Sequence, residues 1–287
     1  MKRFYRFAGC EICLNIPDSI GFSNEHRLQN FRVDQAESPW VYHFEAVDSL
    51  QQPEGKLIAN TGGMRVYSSD SGSVRYLGSV AEDWKNGYIC IMSQGKDQFV
   101  QILRSEMTDN LGCHTVLNAL GFEHLAASSG GFVFHCSFIE YQGCAILFTA
   151  PSGTGKSTQA DLWNKFRGAS IINGDRAVVR IYRDVVTADG IPYSGSSDYS
   201  ENRSLPIRAI VYLQQAPENA VKLVSGYEAF ARIWEGVSVN TWDKQDLEAV
   251  SANVAHVAEK VPMYVLSCTP DENAVITLER VLNREAV

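Results

Sequence analysis

The chain predicts an α+β fold built on a mixed, largely antiparallel sheet with few helices. Three observations carry this. Short alternating runs joined by turn signals fill residues 1 to about 105. A glycine-rich turn at 150–158 stands between an apolar strand and a helix. The strand ending in Asp175 then comes directly after that helix, where a doubly wound parallel sheet would insert another strand and helix. The pattern divides the chain into a strand-rich region at 1–125, a candidate for substrate or partner binding, and a second region at 126–287 that carries the loop.

From the N-terminus, Ile12, Leu14 and Ile16 alternate with other residues as a strand does. Trp40 to Phe44 and Gly63 to Tyr67 repeat the pattern, and Ser69-Asp70-Ser71-Gly72 joins Met64–Tyr67 to Ser73–Leu77 as a hairpin. Tyr88 to Met92 is a further strand. Between Asn110 and Leu125, apolar Leu111, Val116, Leu117, Leu120 and Phe122 fit one amphipathic helix. The second region reads as a strand at 132–139, a turn at Tyr141-Gln142-Gly143, a strand at 144–149, the glycine turn and a helix at 156–166 stopped by Gly168. Strands come next at 169–172 and through Ile181, turning at Arg183-Asp184, then at 207–213. Helices at 229–237 and 243–257, a strand at 262–268 and a closing helix at 271–282 complete the reading, the last capped by Thr269 or Asp271.

The run Ala150-Pro151-Ser152-Gly153-Thr154-Gly155-Lys156-Ser157-Thr158 has the composition needed to wrap backbone N–H groups around a phosphate chain. Ser152, Gly153, Thr154, Gly155, Lys156, Ser157 and Thr158 form the predicted cradle, with Lys156 on the terminal phosphates and Ser157 on Mg²⁺. The helix start adds partial positive charge and unpaired donors. Ala150 stands where the pattern asks for glycine, and a small residue still allows the turn. The expected ligand is a nucleoside triphosphate, ATP or GTP, with Mg²⁺.

Asp175 lies 19 residues after Lys156, at the mouth of an apolar strand, where a carboxylate can hold Mg²⁺ or accept a hydroxyl proton. The alternative is a turn aspartate in Asn173-Gly174-Asp175. His135, among Val133, Phe134 and Phe138, reads by itself as a packed histidine. Arg176 and Arg203 are candidates to neutralise charge on a moving phosphoryl group, with Arg208 a weaker one. Residues 190–203 read equally as a substrate loop or a surface loop. Trp234 and Trp242 fit core packing better than a base pocket.

With these residues in place, region 130–215 resembles HPr kinase/phosphorylase and, more distantly, ATP-dependent phosphoenolpyruvate carboxykinase; a weaker echo covers Val261 to Leu266 and the closing helix. The resemblance implies a phosphate loop on a mixed sheet and places the family's histidine on His135, its lysine on Lys156 and its metal-binding hydroxyl on Ser157. Thr158 replaces the family's glutamate, and the Asp-Asp-Arg motif becomes Gly174-Asp175-Arg176. Asp175 is then left to contact metal and take the proton, unless Asn173 or His135 assists. The family's long glycine-rich motif has no counterpart here. The implied activity is an ATP-dependent kinase that phosphorylates a serine-like hydroxyl of a peptide, protein or small molecule. The alternatives are a non-catalytic nucleotide-binding recognition protein on the same scaffold and a carboxykinase-like lyase. A homo-oligomer stays open.

Composition narrows the partners. At 287 residues, 45% hydrophobic and 20% charged, the chain is an ordinary globular protein. A net charge of -8 excludes a non-specific nucleic-acid binder. Apolar runs such as Cys144 to Phe148 fall far short of the roughly 20 residues of a membrane helix, and the N-terminus has no signal-peptide core, so the expected location is the cytoplasm. Seven scattered cysteines argue against a disulfide framework, and Cys10 and Cys13 read as structural.

Overall fold

The computed structural model describes residues 2–23, 26–69, 72–107, 111–195 and 197–284. It divides into two compact units, Met1–Gly121 and Phe122–Val287.

The first unit is built from β1 (Lys2–Phe7), β2 (Cys10–Asn15), β3 (Phe22–Ser23), α1 (His26–Gln29), β4 (Arg32–Val33), β5 (Trp40–Val47), β6 (Lys56–Asn60), β7 (Met64–Ser69), β8 (Gly72–Gly78), β9 (Gly87–Gln94), β10 (Asp97–Leu103), β11 (Leu111–Gly112) and α2 (Cys113–Leu120). Among the described residues, nine of these strands form one sheet in the order β4-β1-β2-β5-β10-β9-β8-β7-β6. Only β2–β5 and β5–β10 run parallel in it. Met64 pairs with Leu77 in the expected β7–β8 hairpin; its turn residues Asp70 and Ser71 lie outside the described residues. Cys10 and Cys13 are buried in β2, burial pushes the Cys13 thiol up, and all seven cysteines are free.

The single helix expected over 110–125 is corrected. Asn110 lies outside the described residues, and the segment beyond β11 forms two helices, α2 and α3 (Phe122–Ser128), broken at Gly121. Gly121 closes α2 with φ of 67°, a left-handed turn that apolar periodicity does not register.

The second unit continues with β12 (Gly131–His135), β13 (Ser137–Tyr141), β14 (Cys144–Thr149), α4 (Lys156–Arg167), β15 (Ser170–Asn173), β16 (Arg176–Tyr182), β17 (Val185–Asp189), β18 (Ser204–Gln215), β19 (Ala220–Val224), α5 (Gly226–Trp234), β20 (Val237–Ser238), α6 (Lys244–Lys260), β21 (Met263–Cys268) and α7 (Glu272–Arg284). The strand expected at 132–139 is two strands: the chain steps at Cys136 from one sheet path to another, so β12 pairs with β16 and β13 with β14 and β15. Hairpins turn at Gln142-Gly143 and at Arg183-Asp184, whose positive φ values set tight two-residue turns.

The long strand β18 joins the two paths. Its start pairs antiparallel with β17, while its later residues lie parallel to β14 and β21. The sheet is therefore mixed, with a parallel group β14-β18-β21 inside antiparallel surroundings. The carboxyl ends of these three strands, Thr149, Gln215 and Cys268, come out on the same side. In sheets with parallel strands that is the side where ligands bind.

Alternation along the strands separates two apolar layers. Phe134, Phe138, Leu147 and Ile210 pack with Ile233, Val250 and Val254 of α5 and α6. Ile146, Phe148 and Val211 point the other way, onto Ala160 and Trp163 of α4 and Leu278 of α7. Burying a ring such as Phe148, fully inaccessible, stabilises by about 2 kcal/mol. This double coverage anchors the start of α4 against the end of β14. Among the described residues, no helix is long and apolar enough to cross a membrane.

Candidate functional site

The glycine turn connects the end of β14 to the start of α4. Gly153 and Gly155 adopt φ of 79° and 116°, a region open to glycine at little cost, and a Cβ at either would meet nothing within 4 Å. The backbone here is bare and faces open space. Ala150 has no positive φ, so its place in the turn does not need glycine. The helix begins at Lys156 with no side chain capping its first N–H groups, which leaves those donors for a ligand. Lys156 is only 9% exposed, and its Nζ donates to the Ala150 carbonyl at 2.9 Å. Burial pushes its pKa down, and the nearby Asp175 carboxylate opposes that.

Asp175 is held from several directions. Asn173, fully buried, accepts the backbone N–H of Asp175 at 3.0 Å and of Arg176 at 2.9 Å, and donates to the carbonyls of Ile191 and Tyr193. The turn is thus held by the Asn173 side chain, while the Asp175 carboxylate turns to His135 and Arg176. Its Oδ1 lies 3.3 Å from His135 Nε2 and its Oδ2 accepts from Arg176 Nε at 3.2 Å. Hydrogen bonding from His135 comes first in holding this carboxyl below its usual range; burial opposes it and the Arg176 charge adds to it.

His135 reaches the site because β12 and β16 pair with His135 opposite Arg176. Its carbonyl accepts from Thr149 Oγ1 at 3.0 Å, tying it to the residue before the loop. Arg176 stacks over Tyr193 at 4.7 Å and reaches Glu123 at 4.0 Å. Lys156, Asp175, His135 and Arg176 therefore gather beside the glycine turn, although they come from separate elements.

Ile191, Tyr193, Gly195 and Ser197 pack against this group. Ser194 and Ser197 exchange hydroxyl-to-carbonyl bonds at 2.7 and 3.0 Å. A Cβ at Gly195 would stand 2.8 Å from Asp175 Cγ, and one at Gly174 would stand 2.6 Å from Ser197 Oγ. Gly195 and Ser197 are therefore packed onto Gly174-Asp175, and this part of the segment is no loose surface loop. Gly174 is likewise no vacancy, because Ser197 occupies the space into which a side chain there would grow.

Two expected cations are not brought in. Arg203 forms a two-pronged pair with Glu140, and Arg208 bonds to Gln142 and to the Leu282 carbonyl. Glu140 pairs with Ala145 near the start of β14, so both arginines lie toward the end of that strand away from the loop. Trp234 stacks on Phe230 and packs against the core.

Beside the turn lies a cavity of about 360 Å³, walled by Gly155, Thr158, Gln159, Leu213, Cys268 and Pro270 among others. A wider opening of about 650 Å³ flanks Pro151 and Ser152, with Tyr212 on its wall. Gln159 and Cys268 do not stand out in the sequence. A signal for Gln159 exists all the same: it sits on the buried stripe Lys156, Gln159, Ala160, Trp163 of α4, a polar residue in an apolar series.

A family model described as "SynChlorMet cassette protein ScmC" matches residues 88–283, more than half of the chain. Among solved structures, the Hpr(Ser) kinase/phosphatase from Coxiella burnetii is similar at a TM-score of 0.34 and 10% identity, covering 54% of this chain and 90% of that one. No curated protein sequence matches significantly.

Proposed function

We propose that this chain, which belongs to the ScmC family, binds a nucleoside triphosphate with Mg²⁺ and transfers its terminal phosphoryl group to a hydroxyl. The observation that carries the reading is the gathering of buried Lys156 with Asp175 and His135 at the end of the strand that feeds the bare glycine turn.

The donor set fits the metal: a first-turn hydroxyl, Ser157, and an ionised carboxylate, Asp175, are the hard oxygen ligands Mg²⁺ prefers. Bound there, Mg²⁺ would supply charge neutralisation to the phosphates. The protein's share is positioning and electrostatics. Backbone N–H groups of 152–158 hold the phosphate chain, and Lys156 leaves the Ala150 carbonyl to meet the terminal phosphate. The acceptor oxygen forms its bond to that phosphorus as the bridging oxygen departs with the nucleoside diphosphate. Asp175, held ionised, is a good anion and a weak base, so the hydroxyl proton passes to His135 while Asp175 balances the resulting imidazolium. Arg176 offsets charge on the moving group. The acceptor is a serine-like hydroxyl of a peptide, protein or small molecule.

The packing of Ser197 against Gly174 favours a second reading, a nucleotide-binding recognition protein without turnover, because the position that would carry a second aspartate is closed. Labelled ATP with Mg²⁺ and a panel of peptides and hydroxy amino acids separates the two. Transfer that disappears in Asp175→Asn supports the kinase. Tight binding with no transfer to any acceptor, unaltered by that change, supports the recognition protein and removes the kinase.

A further inference from the structure

We propose that the 360 Å³ cavity beside the glycine turn seats the base of the nucleotide and selects adenine, with Gln159 as the residue that reads it; this rests on the nucleotide-binding reading above. The cavity's size falls within the roughly 300–1,000 Å³ of small-molecule pockets. It is continuous with Gly153, Thr154 and Gly155, so a nucleotide whose phosphates lie on the turn has its sugar and base on this side. Leu213, Ala216, Cys268 and Pro270 give it apolar walls suited to the faces of a flat ring.

The polar groups of the wall are unevenly committed. The Thr269 N–H goes to Asn219 and its hydroxyl to Asp271, the Ala216 N–H goes to the Cys268 carbonyl, and Gln215 Nε2 goes to the Thr154 carbonyl. Pro270 has no N–H. Gln159 stands apart as a buried polar side chain of the wall that is not committed in this way. The residue is 2% exposed, and among the described residues its Nε2 makes only a 3.4 Å contact with Cys268 Sγ and its Oε1 has no partner. A buried carboxamide oxygen left unpaired is costly, which marks it for a donor not supplied by the protein. The last torsion of a glutamine is broad, so a small rotation turns that oxygen toward the cavity that Gln159 and Cys268 both line.

A carboxamide is the side chain that pairs two-fold with adenine, its oxygen accepting from N6 and its nitrogen donating to N7. On that same edge guanine and hypoxanthine present two acceptors, the oxygen in place of the N6 amine and N7, so in either orientation of the carboxamide one of them faces Oε1.

The test is equilibrium binding of inorganic triphosphate, ATP, GTP and ITP, each with Mg²⁺, to the full chain. ATP is expected to bind about tenfold more tightly than GTP, ITP or triphosphate. In Gln159→Leu that advantage is expected to vanish while triphosphate affinity stays the same. Triphosphate binding with ATP, GTP and ITP all equal, or GTP the tightest, overturns the base assignment and leaves the phosphate-loop reading standing. Binding of none of the four removes both. Should Gln159→Leu fail to fold, the comparison of ATP with ITP on the unmodified chain still decides the matter.

Discussion

His135 Nε2 and Asp175 Oδ1 lie 3.3 Å apart, although they stand 40 positions apart in the chain, one ending β12 and the other just before β16. The contact exists because β12 and β16 pair antiparallel with His135 opposite Arg176, and because the Cys136 N–H donates to the Asp175 carbonyl at 3.0 Å. The backbone pairing sets where both residues stand, and the Thr149 hydroxyl bonding the His135 carbonyl ties the end of β12 to the end of β14, the strand that leads to Lys156. In the proposed reaction this pair handles the proton while Lys156 handles the phosphate.

Lys156→Ala should weaken binding of triphosphate nucleotides at least tenfold, about 1.4 kcal/mol, by removing the buried ammonium of the turn. Calorimetric titration with ATP and Mg²⁺ measures it. An unchanged affinity would mean that the turn does not hold phosphates.

Asp175→Asn should cut phosphotransfer about a hundredfold or more while binding of inorganic triphosphate without metal persists. The same variant carries a pH signature. A carboxyl held below its usual value in the folded state stabilises the fold fully above the ordinary aspartate pKa near about 4, and that contribution is lost as pH falls through the folded value. The stability gap between wild type and variant should be widest near neutrality and shrink on acidification. A constant gap in denaturant titrations across pH would contradict the ion-pairing account.

Gly174→Asp rebuilds an aspartate pair in sequence, yet its Cβ would meet Ser197 Oγ at 2.6 Å and Ser197 Cβ at 2.7 Å. The expected result is a loss of about 1–3 kcal/mol in stability and no gain in transfer. Adding Ser197→Gly should recover part of that loss, since the two sites share the clash. Full stability in the single variant would show that Ser197 yields easily.

Gly195→Ala addresses the other side of the same contact. With φ of 56° and a Cβ 2.8 Å from Asp175 Cγ, alanine must displace either the segment or the carboxylate. Transfer should fall with triphosphate affinity retained. Equal loss of both would point to general unfolding.

Arg203→Gln should leave phosphotransfer unchanged, because its guanidinium is engaged by Glu140 near the opposite end of β14 from the loop. As a largely surface pair it contributes about 1 kcal/mol or less. A large drop in activity would return Arg203 to the site.

Local chemistry makes much of this molecule legible. The glycines at 153 and 155, the lysine behind them and the Gly168 stop delimit turn and helix through φ preferences and capping, which depend on neighbours only. Asp175 stands out because its distance from Lys156 in the chain is short, and Arg183-Asp184 because a tight hairpin demands positive φ. The α+β character comes from the same signals, alternation and turns.

Tertiary pairing decided the rest. The step at Cys136, which sends β12 and β13 into different pairings, leaves no mark on an apolar run that reads as one strand. Whether His135 is core or site depends on which residue of β16 lies opposite it, and the place of Arg203 is set by the strand that supplies Glu140. Ser197 filling the space at Gly174, and Gln159 meeting Cys268 across 109 residues, likewise depend on register between distant segments. A residue's own chemistry sets what it can do, but long-range strand register sets what it faces, and that register is chosen by the packing of the whole unit.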